Sequence, residues 1–208
     1  MIKAVLFDID GVLIDSFEAN LKFYQDLMVA SGYQPPTRKE FIPLFYRPLW
    51  DGIKIMTKSS DEEEIKKIWD MDRTKQVPYP IELLKTPADA EATIKMLAGD
   101  YLLGIVTSRV QESIYSIPAL ANLREYFQAV VAYQDTKAHK PDPEPLLLAT
   151  KRLHTNPGES VYIGDVESDM SAAKAAGMKG ILFAKQTALA ADAYTSSFVQ
   201  LPYLIASL

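Results

Sequence analysis

The chain predicts an α/β fold: a parallel sheet with helices on both faces, plus a small all-helical domain inserted after the first strand. Three observations carry this. Short, unbroken apolar runs alternate with stretches of helical periodicity, the pattern of strand–helix–strand units. Several of those runs end abruptly in polar residues. Residues 17–80, between the first run and the second, show helical spacing and no strand pattern of their own.

The first run is Ala4 to Phe7, and it ends at Asp8-Ile9-Asp10-Gly11. A second apolar run, Val12 to Ile14, leads to Asp15-Ser16. From there Phe17, Leu21, Tyr24 and Met28 recur at helical spacing, and Gly32 stands where that helix would stop. Gln34-Pro35-Pro36 is a break, and a short helix is expected near Phe41–Phe45. Ser59-Ser60-Asp61 followed by Glu62, Glu63 and Glu64 reads as a cap with an acidic first turn, so this acid cluster has a local explanation without a metal. Pro78 and Pro80 flank the exit of the helical stretch.

Thr86-Pro87 is expected to cap and start the next helix, which Gly99 ends. Residues 101–106 form a second strand, ending at Thr107-Ser108-Arg109, and a helix is expected to run on to about Leu120. Ala129–Ala132 is a third strand. His139-Lys140-Pro141-Asp142-Pro143 is a loop into a helix that ends near Leu153, and Asn156-Pro157-Gly158 is a turn. Ser160–Ile163 is a strand ending at Gly164-Asp165. A helix from Asp169 to Ala176, closed by Gly177, leads to the last expected strand, Gly180–Phe183. Such alternation implies right-handed crossovers and a Rossmann-like parallel sheet.

Composition excludes several functions. The net charge of −5, without a basic patch, argues against a nucleic-acid partner. There is no cysteine, so disulfides, thiolate metal sites and cysteine nucleophiles are excluded. No apolar stretch reaches membrane length. Two aspartates interrupt the apolar start, which does not read as a signal peptide, so a cytoplasmic location is expected.

Two carboxylates at the end of a buried strand are costly unless something offsets their charge. Spaced by two, Asp8 and Asp10 share one side of an extended chain, and Gly11 permits a turn beside them. They read as a metal site or as a nucleophile with an acid/base partner. In a parallel sheet the ends carrying Asp8 and Asp10, Thr107 and Ser108, Lys140, and Asp165 meet at one edge. A phosphate and a divalent cation together satisfy that set. Carboxylates hold the hard ion, while hydroxyl, lysine and backbone N–H groups hold phosphate oxygens.

Phe7-Asp8-Ile9-Asp10-Gly11-Val12-Leu13 with Asp15-Ser16 resembles the first motif of the haloacid dehalogenase superfamily of phosphohydrolases. Thr107-Ser108, Lys140 and Gly164-Asp165-x-x-x-Asp169 follow in that family's order. The likeness is to its phosphoglycolate phosphatase and β-phosphoglucomutase branches. It implies an α/β core domain of residues 1–16 and 81–208 and a helical cap domain of residues 17–80. The two would be joined near Asp15–Ser16 and Val77–Leu83.

The resemblance also implies roles. Asp8 would be the nucleophile that carries an aspartyl-phosphate, and Asp10 the acid/base, with its backbone carbonyl on the metal. Thr107 and Lys140 would complete the catalytic group. Gly11, Thr107, Ser108, Arg109 and Lys140 would bind the phosphate, though Arg109 is equally open to a surface position. Asp8, Asp10, Asp165 and Asp169 would serve Mg²⁺, the last of these from an outer position or through water.

A second carboxylate argues against dehalogenation, because a halide needs no acid to leave. The expected activity is Mg²⁺-dependent hydrolysis of a small phosphorylated metabolite, by a monomer or homodimer. A sugar phosphomutase is an alternative, although Asn20 stands where those enzymes carry a histidine. A silent binding protein on the same fold is another. His139 is open between a substrate contact and an ordinary loop position, and His154 suits a helix C-terminus. Phe41, Phe45, Tyr46 and Trp50 read as cap core or as pocket lining.

Overall fold

The structure, a computed structural model, describes residues 1–45, 47–184 and 190–208. The chain divides into two compact units, Met1–Asp15 with Thr86–Leu208, and Ser16–Lys85. The divisions expected from sequence are at 16/17 and 80/81. The later exit has a local cause: a 3-10 turn at Ile81–Leu83 still belongs to the helical unit.

The helical unit holds α1 (Phe17–Ala30), α2 (Arg38–Phe41), α3 (Leu49–Thr57) and α4 (Glu62–Arg73). The α1 face of Leu21, Tyr24, Leu27 and Met28 is buried. The helix expected near Phe41–Phe45 is there as a 3-10 turn, and the helical stretch begins earlier. Thr37 starts it with a capping box to Glu40, and Pro43 then sits in a 3-10 turn, Ile42–Leu44, where its missing N–H costs nothing. Asp61 caps α4 by accepting the backbone N–H of Glu63 at 2.9 Å, as the acidic start suggested. Phe41 is fully buried against Phe17, Tyr24 and Phe45, and Trp50 packs edge-on to Trp69. These aromatics are core of this unit; Tyr46 lies outside the described residues.

The other unit is built on a sheet whose strands are β1 (Ala4–Phe7), β2 (Leu102–Val106), β3 (Ala129–Val131), β4 (Ser160–Gly164), β5 (Lys179–Phe183) and β6 (Ala193–Thr195). All pairings are parallel, in the order β3-β2-β1-β4-β5-β6. The four residues of β1 are wholly buried, which is why its sequence is an unbroken apolar run. Its helices are α5 (Ala90–Leu97), α6 (Gln111–Ile114), α7 (Pro118–Asn122), α8 (Glu144–Arg152), α9 (Glu167–Ala176) and α10 (Leu201–Ala206). Ala4, Leu6, Val106 and Tyr162 pack with Leu146, Ala149, Ala172 and Ala173, so α8 and α9 cover one face.

Three expectations need correction. Thr86-Pro87 does not start α5. Pro87 instead accepts the Ala90 N–H in a turn, and the helix begins at Ala90 behind Asp89, whose φ is 60°. The single helix expected up to Leu120 is two short ones. Pro118 has no N–H to continue the first and opens the second at its first position. Gly180–Phe183 is not the last strand, since β6 adds three residues at the edge.

Register positions the polar residues. Phe7 pairs with Ile105 on one side and Ile163 on the other. One step further on lie Asp8, Val106 and Gly164, so Asp8, Thr107 and Asp165 emerge at one edge. The strand order reverses between β1 and β4, the default place for a ligand in such sheets.

Candidate functional site

Asp8 follows β1 directly and is 7% exposed. Its Oδ1 accepts the Ile9 N–H at 2.8 Å, and its Oδ2 lies 3.0 Å from Lys140 Nζ. The same ammonium donates to Asp169 Oδ1 at 2.7 Å and to the Tyr162 hydroxyl at 2.9 Å. An ammonium has three protons, and these three acceptors use them. The Lys140 side chain is 7% exposed, so the loop lysine is a buried cation with full pairing.

Asp169 is fully buried on the first turn of α9. While Oδ1 faces Lys140, Oδ2 accepts the backbone N–H groups of Asp165 at 3.0 Å and Val166 at 3.3 Å. One carboxylate thus caps the helix and fixes the lysine. Asp165, half-buried, lies against Gly11. A Cβ on Gly11 would fall 1.9 Å from Asp165 Oδ2, and the residue sits at φ +78°. Both facts require glycine there. One oxygen each from Asp8, Asp165 and Asp169 can be chosen so that all lie within 4.8 Å of one another.

The turn after β1 is closed by the Gly11 N–H to Ile14 O at 2.8 Å and the Ile14 N–H to Ile9 O at 2.9 Å. It carries Asp10, whose charge still acts on Asp8 and Asp165. The guanidinium of Arg109 grips Asp10 in a fork, Nε to Oδ2 and Nη2 to Oδ1, both at 2.7 Å. Thr107, buried at the end of β2, accepts the Arg109 N–H on its Oγ1 at 3.2 Å, a turn that presents Arg109. Ser108 is exposed beside it.

The electrostatics follow from burial. Burial, with Asp169 and Asp10 nearby, pushes the Asp8 carboxyl up to about 7 against the pull of Lys140. Burial, then repulsion from Asp8 and Asp169, pushes Asp165 up to about 8. Burial works against the charge on Lys140, but Asp8, Tyr162 and Asp169 outweigh it and hold the lysine well above its usual range. Crowded carboxylates that resist ionising are what a divalent cation relieves. Three oxygen donors of this kind suit a hard ion such as Mg²⁺.

Sequence reasoning places Tyr162 in a strand and gives it no role in the site. A tyrosine in an otherwise apolar buried strand was the available signal, because its hydroxyl must find a partner. Here the hydroxyl accepts from Lys140 and donates to Val106 O at 3.1 Å. Tyr162→Phe would leave that carbonyl and one ammonium proton unmet, so a loss of about 1–3 kcal/mol is expected in urea unfolding. An unchanged midpoint would mean that water takes over both contacts. Of the histidines, His139 stacks on Tyr133 with ring centroids 4.0 Å apart, and His154 sits just past α8 at φ 55°.

Comparison with known proteins agrees with this architecture. The haloacid dehalogenase-like hydrolase family matches residues 5–183. A Clostridium perfringens protein provisionally named pyrophosphatase PpaX is 32% identical over 180 residues, 86% of this chain and 82% of its own. Pyrophosphatase PpaX of Bacillus velezensis is 28% identical over 204 residues, covering 95% of this chain and 91% of its own. Among solved structures, a HAD-superfamily hydrolase of subfamily IA from Geobacter sulfurreducens superposes with a TM-score of 0.79 at 28% identity. That match covers 98% of this chain and 96% of the other. By its sheet, its motifs and the extent of these matches, the chain belongs to the haloacid dehalogenase-like hydrolases.

Proposed function

We propose that this protein is a Mg²⁺-dependent phosphohydrolase acting on a small phosphorylated compound through an aspartyl-phosphate on Asp8. The observation that carries the reading is Lys140 Nζ held between Asp8 and Asp169, with Asp165 in the same cluster. A nucleophilic carboxylate needs a cation to receive an anionic phosphoryl group, and a structural ion pair alone would not need the third carboxylate.

The steps balance. Asp8 attacks phosphorus, the bond from phosphorus to the leaving oxygen breaks, and Asp10 gives that oxygen its proton. Asp10 then takes a proton from water, which attacks the aspartyl-phosphate and regenerates Asp8. Lys140 balances charge at the nucleophile. The Thr107 hydroxyl and the Ser108 N–H hold phosphoryl oxygens beside Gly11. The ion would be held by Asp8, Asp165 and the Asp10 carbonyl, with Asp169 behind. It would supply positive charge that lets a phosphate approach three carboxylates.

Both relatives described above bear the name pyrophosphatase, so inorganic pyrophosphate belongs in the test beside sugar phosphates, phosphorylated small acids and nucleotides. Phosphate release with Mg²⁺, lost in EDTA, is the expected result; release that survives EDTA would refute the metal. A mutase would show isomerisation primed by a bisphosphate instead. Asn20 speaks against it, its amide being spent on Ser16 O at 3.0 Å in its own helix.

Metal and protons compete for the same oxygens. Asp8 at about 7 and Asp165 at about 8 lie above the unfolded carboxylate value near 4. The folded state therefore binds more protons than the unfolded one between those values. Without metal, stability is highest below about pH 4 from these groups and falls as pH rises through 7 and 8. Mg²⁺ should then raise Tm more at pH 8 than at pH 5.5. Equal shifts at both would show that the ion binds elsewhere.

A further inference from the structure

Both oxygens of Asp10 are engaged by Arg109, yet the reaction requires Asp10 to reach the leaving-group oxygen. We propose that Arg109 reads a second anionic group on the substrate, exchanging the Asp10 carboxylate for a carboxylate or phosphate carried by the leaving group. This rests on the phosphohydrolase reading and narrows its substrate class to phosphorylated compounds with a second anion close to the phosphoryl group.

Lys140 serves the Asp8 side of the site, and Arg109 serves Asp10. Any leaving group that comes within reach of Asp10 comes within reach of the fork that spans both its oxygens. The guanidinium fits planar carboxylates and phosphate edges alike, so a substrate anion can take over the same two N–H groups without a change of geometry. The Arg109 side chain is 14% exposed and that of Asp10 32%. A substrate with a neutral leaving group would draw Asp10 off and leave a largely buried guanidinium poorly paired, which is unfavourable. A substrate with an anionic leaving group replaces what it removes. The exchange swaps hydrogen-bond partners and makes or breaks no covalent bond. Arg109 is presented for this by the turn in which its N–H bonds Thr107 Oγ1, and its carbonyl accepts the Tyr133 N–H at 2.9 Å.

The test uses two substrates that differ in the second anion alone, phosphoglycolate and ethyl phosphate, with inorganic pyrophosphate as a third. The expected result is a kcat/KM ratio favouring phosphoglycolate and pyrophosphate in the native protein. That ratio should fall roughly 30-fold in Arg109→Gln and recover in part in Arg109→Lys, as expected for charge-assisted contacts. Most of the change should appear in KM for the anionic substrates. A ratio that stays the same in Arg109→Gln overturns the proposal, whatever happens to the absolute rates, and so does a native ratio near one. Calorimetric binding of the same compounds to Asp8→Asn in Mg²⁺ gives an independent ratio, which should likewise be lost with Arg109→Gln added. Hydrolysis absent from all three substrates while the binding ratio persists would count against the phosphohydrolase reading and support the Arg109 assignment.

Discussion

Asp8→Asn is expected to lower phosphate release by about four orders of magnitude or more, with the fold retained. The expectation comes from what the substitution changes. The shape is kept, but the amide cannot form the acyl phosphate that water then opens, so the two-step route is closed. Stability moves in two opposing directions. The variant loses the 3.0 Å contact to Lys140, but it also removes a buried negative charge that the surroundings already push toward neutrality at about pH 7. Tm at pH 8 in EDTA should therefore shift by no more than a few degrees. Single-turnover assays beside thermal melts separate the two quantities. Activity that persists in a folded Asp8→Asn protein would mean that water attacks phosphorus directly and that Asp8 is at most a metal ligand.

Much of the sheet was legible because buried parallel strands write themselves as apolar runs. Ala4–Phe7 and Ser160–Gly164 are buried throughout, and Leu102–Val106 is buried from Leu103 on, with Gly104 inside the run. What was not legible came from competing local signals. Thr86-Pro87 has the composition of a helix start, but the chain bends first at Asp89, and a left-handed residue leaves little trace in an aspartate. Pro118 is the one visible signal for the break between α6 and α7, since a proline there ends a helix. The three residues of β6 carry no alternation, and their partners are backbone groups on β5.

Within the site, sequence could place residues on strand ends but could not say which charges meet. Asp8 and Asp10 look equivalent in sequence, two carboxylates spaced by two. In the structure one faces Lys140 and the other Arg109, because the turn at Gly11 breaks the extended geometry that would have kept them side by side. Lys140 in isolation reads as a solvated loop residue. Its burial depends on Tyr162 and Asp169 from two elements later in the chain, contacts that no local pattern encodes. Gly11 was expected to free the backbone. Its larger contribution is the space it leaves for the Asp165 carboxylate, a tertiary demand on a local residue.

Lys140→Met keeps the length of the side chain and removes the charge, and its effect should be large on both stability and turnover. Asp8 and Asp169 would lose a shared cation inside a cluster where Asp165 adds a third carboxyl. Removing one partner of such a buried group costs about 3–5 kcal/mol, a large part of a domain's stability. The cost must depend on pH. Asp8 and Asp165 are already raised to about 7 and about 8, and losing the lysine raises them further. At pH 5 both are then protonated and Asp169 alone loses its partner; at pH 8 Asp8 and Asp165 must ionise without compensation as well. The Tm deficit of the variant should therefore widen from pH 5 to pH 8 and narrow again when Mg²⁺ is added. Turnover should not return with the metal, because nothing replaces the ammonium that faces the nucleophile. A deficit that is the same at both pH values would mean that Lys140 acts by packing its stem, and that the charge of the cluster is balanced elsewhere.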